Sequence, residues 1–252
     1  MAAELGPLLG TGKVAEVYAW GDDLVLKLYK PGTPKTSAFR EAANLSIVER
    51  SGLPAPRVHS VGGELQNRWG LIMTRAEGSP FAPALTTSPP SQPHVDALAA
   101  LHRQIHEVTA TQLPSLKARL RSNIGAAALL DAGRREQLLS RLAGLPDGDR
   151  LCHGDFHPWN VLGTPEQATV IDWLDATSGV PAADVCRTYV LIAYASVPLA
   201  ETYVETYAKL SGLDVNEVWR WRAVVAGARL AEGVPDEEAS LLAMVDAAEE
   251  KP

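Results

Sequence analysis

Cysteine is nearly absent: Cys152 and Cys186 are the only two in 252 residues. Two isolated thiols supply neither a zinc spacing nor a disulfide framework, so the fold must rest on an apolar core. Reduced thiols also point to a cytoplasmic location. Long apolar runs are missing. The longest, Tyr189 to Ala200, has 12 residues, contains Ser196 and Pro198, and is too short to span a bilayer. Basic residues are in deficit, with 23 Lys and Arg against 30 Asp and Glu, a net charge of −7. That balance argues against nucleic acid and anionic membranes as partners. The first ten residues carry no Lys or Arg, so no signal-peptide pattern is expected. What remains is ordinary globular material, 46% hydrophobic and 21% charged. It excludes a wholly disordered chain and a collagen.

Patterning divides the chain. Val14–Trp20 and Leu24–Tyr29 are rich in β-branched, aromatic and aliphatic residues and read as strands around a Gly21-Asp22-Asp23 turn. Ala38, Ala42, Leu45 and Val48 recur at helical spacing, predicting a helix over 36–50 that Gly52 and Pro54 end. Val58–Val61 and Trp69–Thr74 read as two further strands. Five prolines between Pro80 and Pro93 mark an irregular connector. Beyond it, helical patterns recur near 95–105, 114–131, 133–143, 182–196, 199–211, 214–231 and 236–249. Two short strands over 160–172 interrupt them.

Three motifs carry chemistry. Gly10-Thr11-Gly12-Lys13-Val14-Ala15 is a glycine turn leading into a strand. Glycines there let backbone N–H groups approach phosphate oxygens. A Walker loop does not fit, because its first glycine would fall at Pro7 and Val14 stands where Ser or Thr must bind magnesium. Lys27 follows 15 residues after Gly12, in the next strand but one, and Glu41 on the following helix is placed to pair with it. The third motif, His153-Gly154-Asp155-Phe156-His157-Pro158-Trp159-Asn160, has the spacing H-G-D-x4-N. Asp172 comes twelve residues after Asn160, at the end of the apolar strand Val170-Ile171.

Together these motifs resemble the aminoglycoside phosphotransferase and choline kinase group, small-molecule relatives of the protein kinases. The resemblance implies an α+β, two-lobed, protein-kinase-like fold. Its small antiparallel-sheet N-terminal lobe with one helix would take residues 1–75, and its larger, mainly helical lobe residues 76–252. It implies an ATP-dependent small-molecule kinase, with GTP as the alternative nucleotide and magnesium as cofactor. Asp155 then orients the acceptor hydroxyl and accepts its proton. Asn160 and Asp172 offer the hard oxygen donors magnesium takes. Gly10, Gly12, Lys27 and Glu41 serve the phosphates, and Met73, Thr74 and Ala76 form the hinge that holds the adenine. His153 is expected to be structural, His157 to touch substrate or to pack the loop, and Asp175 is a weak second-metal candidate. Asp184, in Gly179-Val180-Pro181-Ala182-Ala183-Asp184, is expected to brace the catalytic loop. His102 and His106 stand at i, i+4, but Arg103 replaces the glutamate of a zinc-protease motif, so packed histidines are expected.

Only eleven residues separate Asp172 from Asp184, which leaves no room for a protein kinase's activation segment. The acceptor is therefore expected to be a small molecule bearing a hydroxyl, used by a monomer or dimer. Residues 201–252 hold 11 acids and 5 bases; if they cover the acceptor, they favour a cationic one. The rival reading is a nucleotide-binding pseudokinase, against which stands the complete set Lys27, Asp155, Asn160 and Asp172.

Overall fold

A computed structural model describes residues 5–65 and 67–247. Among the described residues the strands are β1 (Leu8–Thr11), β2 (Ala15–Trp20), β3 (Leu24–Tyr29), β4 (Val58–Leu65), β5 (Arg68–Thr74), β6 (Arg150–Cys152), β7 (Val161–Thr164), β8 (Gln167–Val170) and β9 (Thr177–Gly179). The helices are α1 (Thr36–Glu49), α2 (Ala82–Leu85), α3 (Gln92–Glu107), α4 (Leu116–Ala126), α5 (Ala132–Gly144), α6 (Pro181–Ala193), α7 (Val197–Ser211), α8 (Val215–Trp219), α9 (Arg222–Arg229) and α10 (Glu238–Asp246).

The chain divides into two compact units. The first takes the described residues up to Pro80 together with Asn160–Asp175. The second takes Phe81–Trp159 and the described residues from Ala176 onward. A single boundary at 75/76 differs from this division in two respects: residues 76–80 fall in the first unit, and so does the β7–β8 hairpin. Backbone hydrogen bonds give the reason. Gly163 N–H donates to the Ser79 carbonyl at 3.0 Å, and Val170 N–H to the Pro54 carbonyl at 2.8 Å. A Cβ on Gly78 would lie 2.7 Å from Gly163 Cα, so glycine at 78 permits the close approach.

In the first unit an antiparallel sheet runs in the order β1-β2-β3-β5-β4. β3 is buried from Val25 to Tyr29; it lies between β2 and β5, and Lys27 and Tyr29 on one face reach Glu41 of α1. Register sets Gly10 opposite Val17, Val17 opposite Lys27, and Lys27 opposite Leu71. Lys27 thus lies in the same row as the glycine turn, two strands away. Helix α1 buries Ala38, Ala42, Leu45 and Val48, the stripe its spacing predicts, and with them Glu41 and Asn44.

The second unit is helical, with the small β6–β9 pair inside it. Helix α3 buries Val95, Leu98, Ala99, His102 and Ile105. Ser115, Asp131, Ser196 and Asp214 accept backbone N–H bonds at the starts of α4, α5, α7 and α8. The helix expected over 214–231 is two, α8 and α9, and the turn between them seats Trp221 in the core. The proline-rich connector holds α2, and Pro93 lies in the first turn of α3. α10 ends at Asp246; the last residues expected in that helix, 248–249, lie outside the described residues. Among the described residues no helix is long and apolar enough to cross a membrane.

Candidate active site

In the first unit, Lys27 Nζ lies 2.8 Å from Glu41 Oε1 and 2.8 Å from Asp172 Oδ1. Strand alternation would allow Lys27 to face solvent, yet it is only 6% exposed and Glu41 is fully buried. Burial alone would lower the lysine's pKa; the two facing carboxylates hold it well above its ordinary value instead. Burial also raises the Glu41 carboxyl, which Lys27 opposes. The other Glu41 oxygen accepts a hydrogen bond from Tyr29 OH. Burial, then the carboxylate beside it, raises the Tyr29 phenol, so it stays a donor. Glu41 is therefore gripped on both oxygens from one strand, because Lys27 and Tyr29 are two apart on β3 and share a face.

Asp172 adopts φ of +64°, the left-handed region that few residues other than glycine occupy and that Asp and Asn enter more readily than most. The residues after it hold this turn. Trp173 is fully buried, its Nε1–H donates to the Val170 carbonyl at 2.9 Å, and its own carbonyl accepts from Asn44 Nδ2 at 2.8 Å. Asn44, one helical turn after Glu41, thereby ties α1 to the Asp172 turn. Asn160 is buried, and its carbonyl accepts from Ile171 N–H at 2.9 Å, which sets it beside the residues that lead from β8 to Asp172. The Asp172 side chain is partly exposed, and a carboxylate and an amide oxygen are each hard donors of the kind magnesium takes.

Gly10 and Gly12 have no positive φ, and a Cβ would meet nothing closer than 3.6 Å at either. The chain's own packing does not demand glycine at these two positions. Gly12 N–H donates to the Ala15 carbonyl at 2.8 Å. Met73 is buried at the end of β5. Thr74 N–H donates to the Arg57 carbonyl at 2.9 Å, and Ala76 lies just beyond the strand. Asp175 is partly buried in the short turn after Trp173.

The second unit holds the H-G-D segment. Asp155 Oδ2 lies 3.5 Å from His157 Nε2, and Oδ1 3.6 Å from Arg187 Nη2. Burial favours the neutral acid, but the His157 contact, then Arg187 and His153, hold its carboxyl well below the usual range. His153 Nδ1 accepts the Asp155 N–H at 3.2 Å, and His157 Nδ1 accepts the Trp159 N–H at 3.3 Å. Each histidine thus folds back on the residue two further along, which makes His153 structural and gives His157 both a packing role and the Asp155 contact.

Asp184 takes four donors: His153 N–H at 2.6 Å, Gly154 N–H at 2.9 Å, His102 Nε2 at 3.0 Å and His106 Nε2 at 3.3 Å. Gly154, at φ of +81°, turns the loop so that successive N–H groups reach that carboxylate. His102 and His106 are one turn apart on α3, and Tyr203 and Tyr207 one turn apart on α7. Each tyrosine hydroxyl meets one histidine Nδ1, at 2.5 and 2.6 Å. An ionised Asp184 only accepts, so both histidines present Nε2–H to it and accept from tyrosine at Nδ1. Burial lowers the His102 pKa to about 3 with help from His106, against Asp184.

A small pocket open to solvent lies against Gly154 and Arg187, with walls from α4, α6 and α9 and from Glu232. Of the acids in 201–252, Glu232 lines it. Glu217, Glu237 and Asp246 pair with Arg220, Arg229 and Arg134 instead. Motif reading did not find Tyr29, Asn44, Arg187 or Glu232. The first three carry a periodic signal: Lys27-x-Tyr29 on a strand, and Glu41-x-x-Asn44 and Asp184-x-x-Arg187 on helices.

A lysine fixed to a helix glutamate under an antiparallel sheet, an H-G-D-x4-N loop and an aspartate after a hairpin define an α+β protein of the kinase-like class. Residues 9–225 match the profile of the phosphotransferase enzyme family, and the chain belongs to that family. Among curated proteins it is 31% identical over 176 residues to an aminoglycoside 3'-phosphotransferase of Streptomyces ribosidificus, covering 62% of this chain and 65% of that protein. It is 33% identical over 168 residues to the enzyme of the same name from Streptomyces fradiae, covering 58% and 61%. The match spans just under two thirds of the length of these relatives. Among solved structures, aminoglycoside phosphotransferase APH(4)-Ia, in a ternary complex with AMP-PNP and hygromycin B, superposes with a TM-score of 0.70. The identity is 16%, and 96% of this chain and 91% of that chain are covered. A choline/ethanolamine kinase family protein from Mesorhizobium loti gives 0.66 at 20% identity, covering 98% and 89%. At these identities the likeness is one of fold.

Proposed function

We propose that the protein transfers the γ-phosphate of ATP, with GTP as the alternative, to a hydroxyl of a small molecule, with magnesium as cofactor. The observation that carries this reading is the buried Lys27 ammonium, 2.8 Å from both Glu41 and Asp172. A lysine fixed in that way presents a permanent positive charge beside a carboxylate with metal-ligand chemistry, the pair that phosphoryl transfer uses to position and neutralise phosphates. Gly10 and Gly12, free of any fold-imposed need for glycine, admit phosphate oxygens to backbone N–H groups. Met73, Thr74 and Ala76 form the adenine side, with Met73 supplying apolar contact.

Asn160 and Asp172 would hold the magnesium, which when bound offsets negative charge on the phosphate oxygens. Asp155 receives the acceptor hydroxyl. Held below the usual carboxylate range, it is ionised at working pH and a weak base. Its main contribution is then to aim the hydroxyl oxygen at phosphorus. The hydroxyl proton passes to Asp155 late, as the bond from phosphorus to the leaving nucleotide oxygen breaks. Asp184 fixes the loop that carries Asp155. The names of the curated relatives support an aminoglycoside as the first acceptor to try.

A coupled assay of nucleoside-diphosphate release with magnesium tests this reading. The acceptors are aminoglycosides, choline, ethanolamine, homoserine and simple sugars. Release that depends on one acceptor supports it. Silence with every acceptor, together with no thermal shift on adding nucleotide and magnesium, contradicts it.

A further inference from the structure

Arg187 stands beside Asp155 without making a tight pair with it. Its Nη2 is 3.6 Å from Asp155 Oδ1 but only 2.5 Å from Glu232 Oε1, while its Nε donates to the Gly154 carbonyl at 3.2 Å. Glu232 also accepts from Arg229, whose guanidinium binds the two oxygens of Glu237 at 2.6 and 2.8 Å. Charges alternate along one chain of contacts: Asp155, Arg187, Glu232, Arg229, Glu237. Arg187 and Glu232 both line the cavity that Gly154 borders. Their side chains are 12% and 27% exposed, so water screens the arginine little.

A shielded guanidinium with two carboxylates in reach settles on the nearer and better aligned one. Here that is Glu232. Without it, Arg187 has Asp155 as its nearest carboxylate. A fork of two N–H groups fits a carboxylate at about 2.8 Å, and a fork closed on Asp155 would occupy the oxygens an acceptor hydroxyl needs. We propose that Glu232 is a positioning residue that holds Arg187 off Asp155 and so keeps the catalytic carboxylate open to the acceptor. The guanidinium remains in the cavity wall, close enough to keep Asp155 ionised. The proposal rests on the role assigned to Asp155 above.

The test compares the parent with Glu232→Gln, Arg187→Met and the double variant, each checked by thermal unfolding. Glu232→Gln leaves Arg229 paired with Glu237 and Arg187 bound to the Gly154 carbonyl, so it folds. It is expected to lower kcat for acceptor phosphorylation by about tenfold with the nucleotide KM unchanged. Adding Arg187→Met is expected to recover most of that loss, a non-additivity that loss of packing alone does not produce. A crystal structure of Glu232→Gln should show the Arg187–Asp155 gap closed to about 2.8 Å. An unchanged kcat in Glu232→Gln, losses that multiply in the double variant, or a gap that stays open would each overturn the proposal. A parent without acceptor-dependent turnover counts against the transferase reading; the gap in the Glu232→Gln structure then decides the tether by itself.

Discussion

Lys27 and Asp172 are 145 positions apart in the chain, and they meet as an ion pair of 2.8 Å. The pair joins the middle of β3 to the turn after the β7–β8 hairpin, with Glu41 of α1 on the lysine's other side. Removing the ammonium would leave a fully buried carboxylate without its cation. Lys27→Met is therefore expected to cost about 3–5 kcal/mol of stability and to abolish nucleotide binding. Urea unfolding and nucleotide titration check the two parts separately.

Tyr29 donates to the Glu41 oxygen that Lys27 leaves. Tyr29→Phe keeps the ring and removes only the donor. The expected cost is about 1–3 kcal/mol, because a buried acceptor loses its partner. Nucleotide affinity should weaken as well, since Glu41 aims Lys27. A variant with parent stability and parent affinity would show that the hydroxyl does not support the glutamate.

Asp172→Ala removes one of the two side chains proposed to hold magnesium. Magnesium is then expected to lose its effect on nucleotide affinity, measured by calorimetric titration with magnesium and with chelator. An affinity gain from magnesium equal to the parent's would remove Asp172 from the metal assignment.

Acid should destabilise the fold in a defined window. His102 is neutral in the folded state, its pKa lowered to about 3 by burial. An unfolded histidine binds its proton near pH 6.5. Between about pH 6.5 and 3 the unfolded chain holds a proton that the folded chain lacks, so stability falls as pH falls. Asp184, held well below the ordinary carboxylate range by His102 and His106 against burial, adds a loss that begins below about pH 4. Melting temperatures from pH 7.5 to 4 should drop less steeply in His102→Gln than in the parent, although the variant starts lower. Parallel slopes would mean that His102 is protonated in the fold.

Much of this architecture is readable in the sequence, for reasons that can be traced to residues. The strands of the first unit are rich in aliphatic and aromatic residues, α1 has one clear apolar stripe, and H-G-D-x4-N has a fixed spacing. The boundaries were less legible. The β7–β8 hairpin carries nothing in its own residues that assigns it to the N-terminal unit, because the bonds that do so are backbone bonds to Ser79 and Pro54. Strands β6 and β9 are three residues each and show no periodicity. Spacing gave Lys27, Glu41 and Asp172 as separate candidates, and only the fold brings their charged atoms together. His102 and His106 read as packed helix histidines, and they are packed. Their partners Asp184, Tyr203 and Tyr207 lie about 80 to 100 positions away, beyond the reach of any local pattern. Arg187 and Glu232 were missed because charged residues on helices usually face solvent.

In the proposed reaction Asp155 serves the acceptor, whereas Lys27 and Asp172 serve the nucleotide. The most direct measurement is kcat and nucleotide affinity of Asp155→Ala beside the parent, with whichever acceptor the parent turns over. Nucleotide affinity is expected to stay within about twofold of the parent and kcat to fall by about 10²–10⁴. A variant that keeps the parent's kcat would contradict this assignment, as would one that loses nucleotide affinity and turnover together.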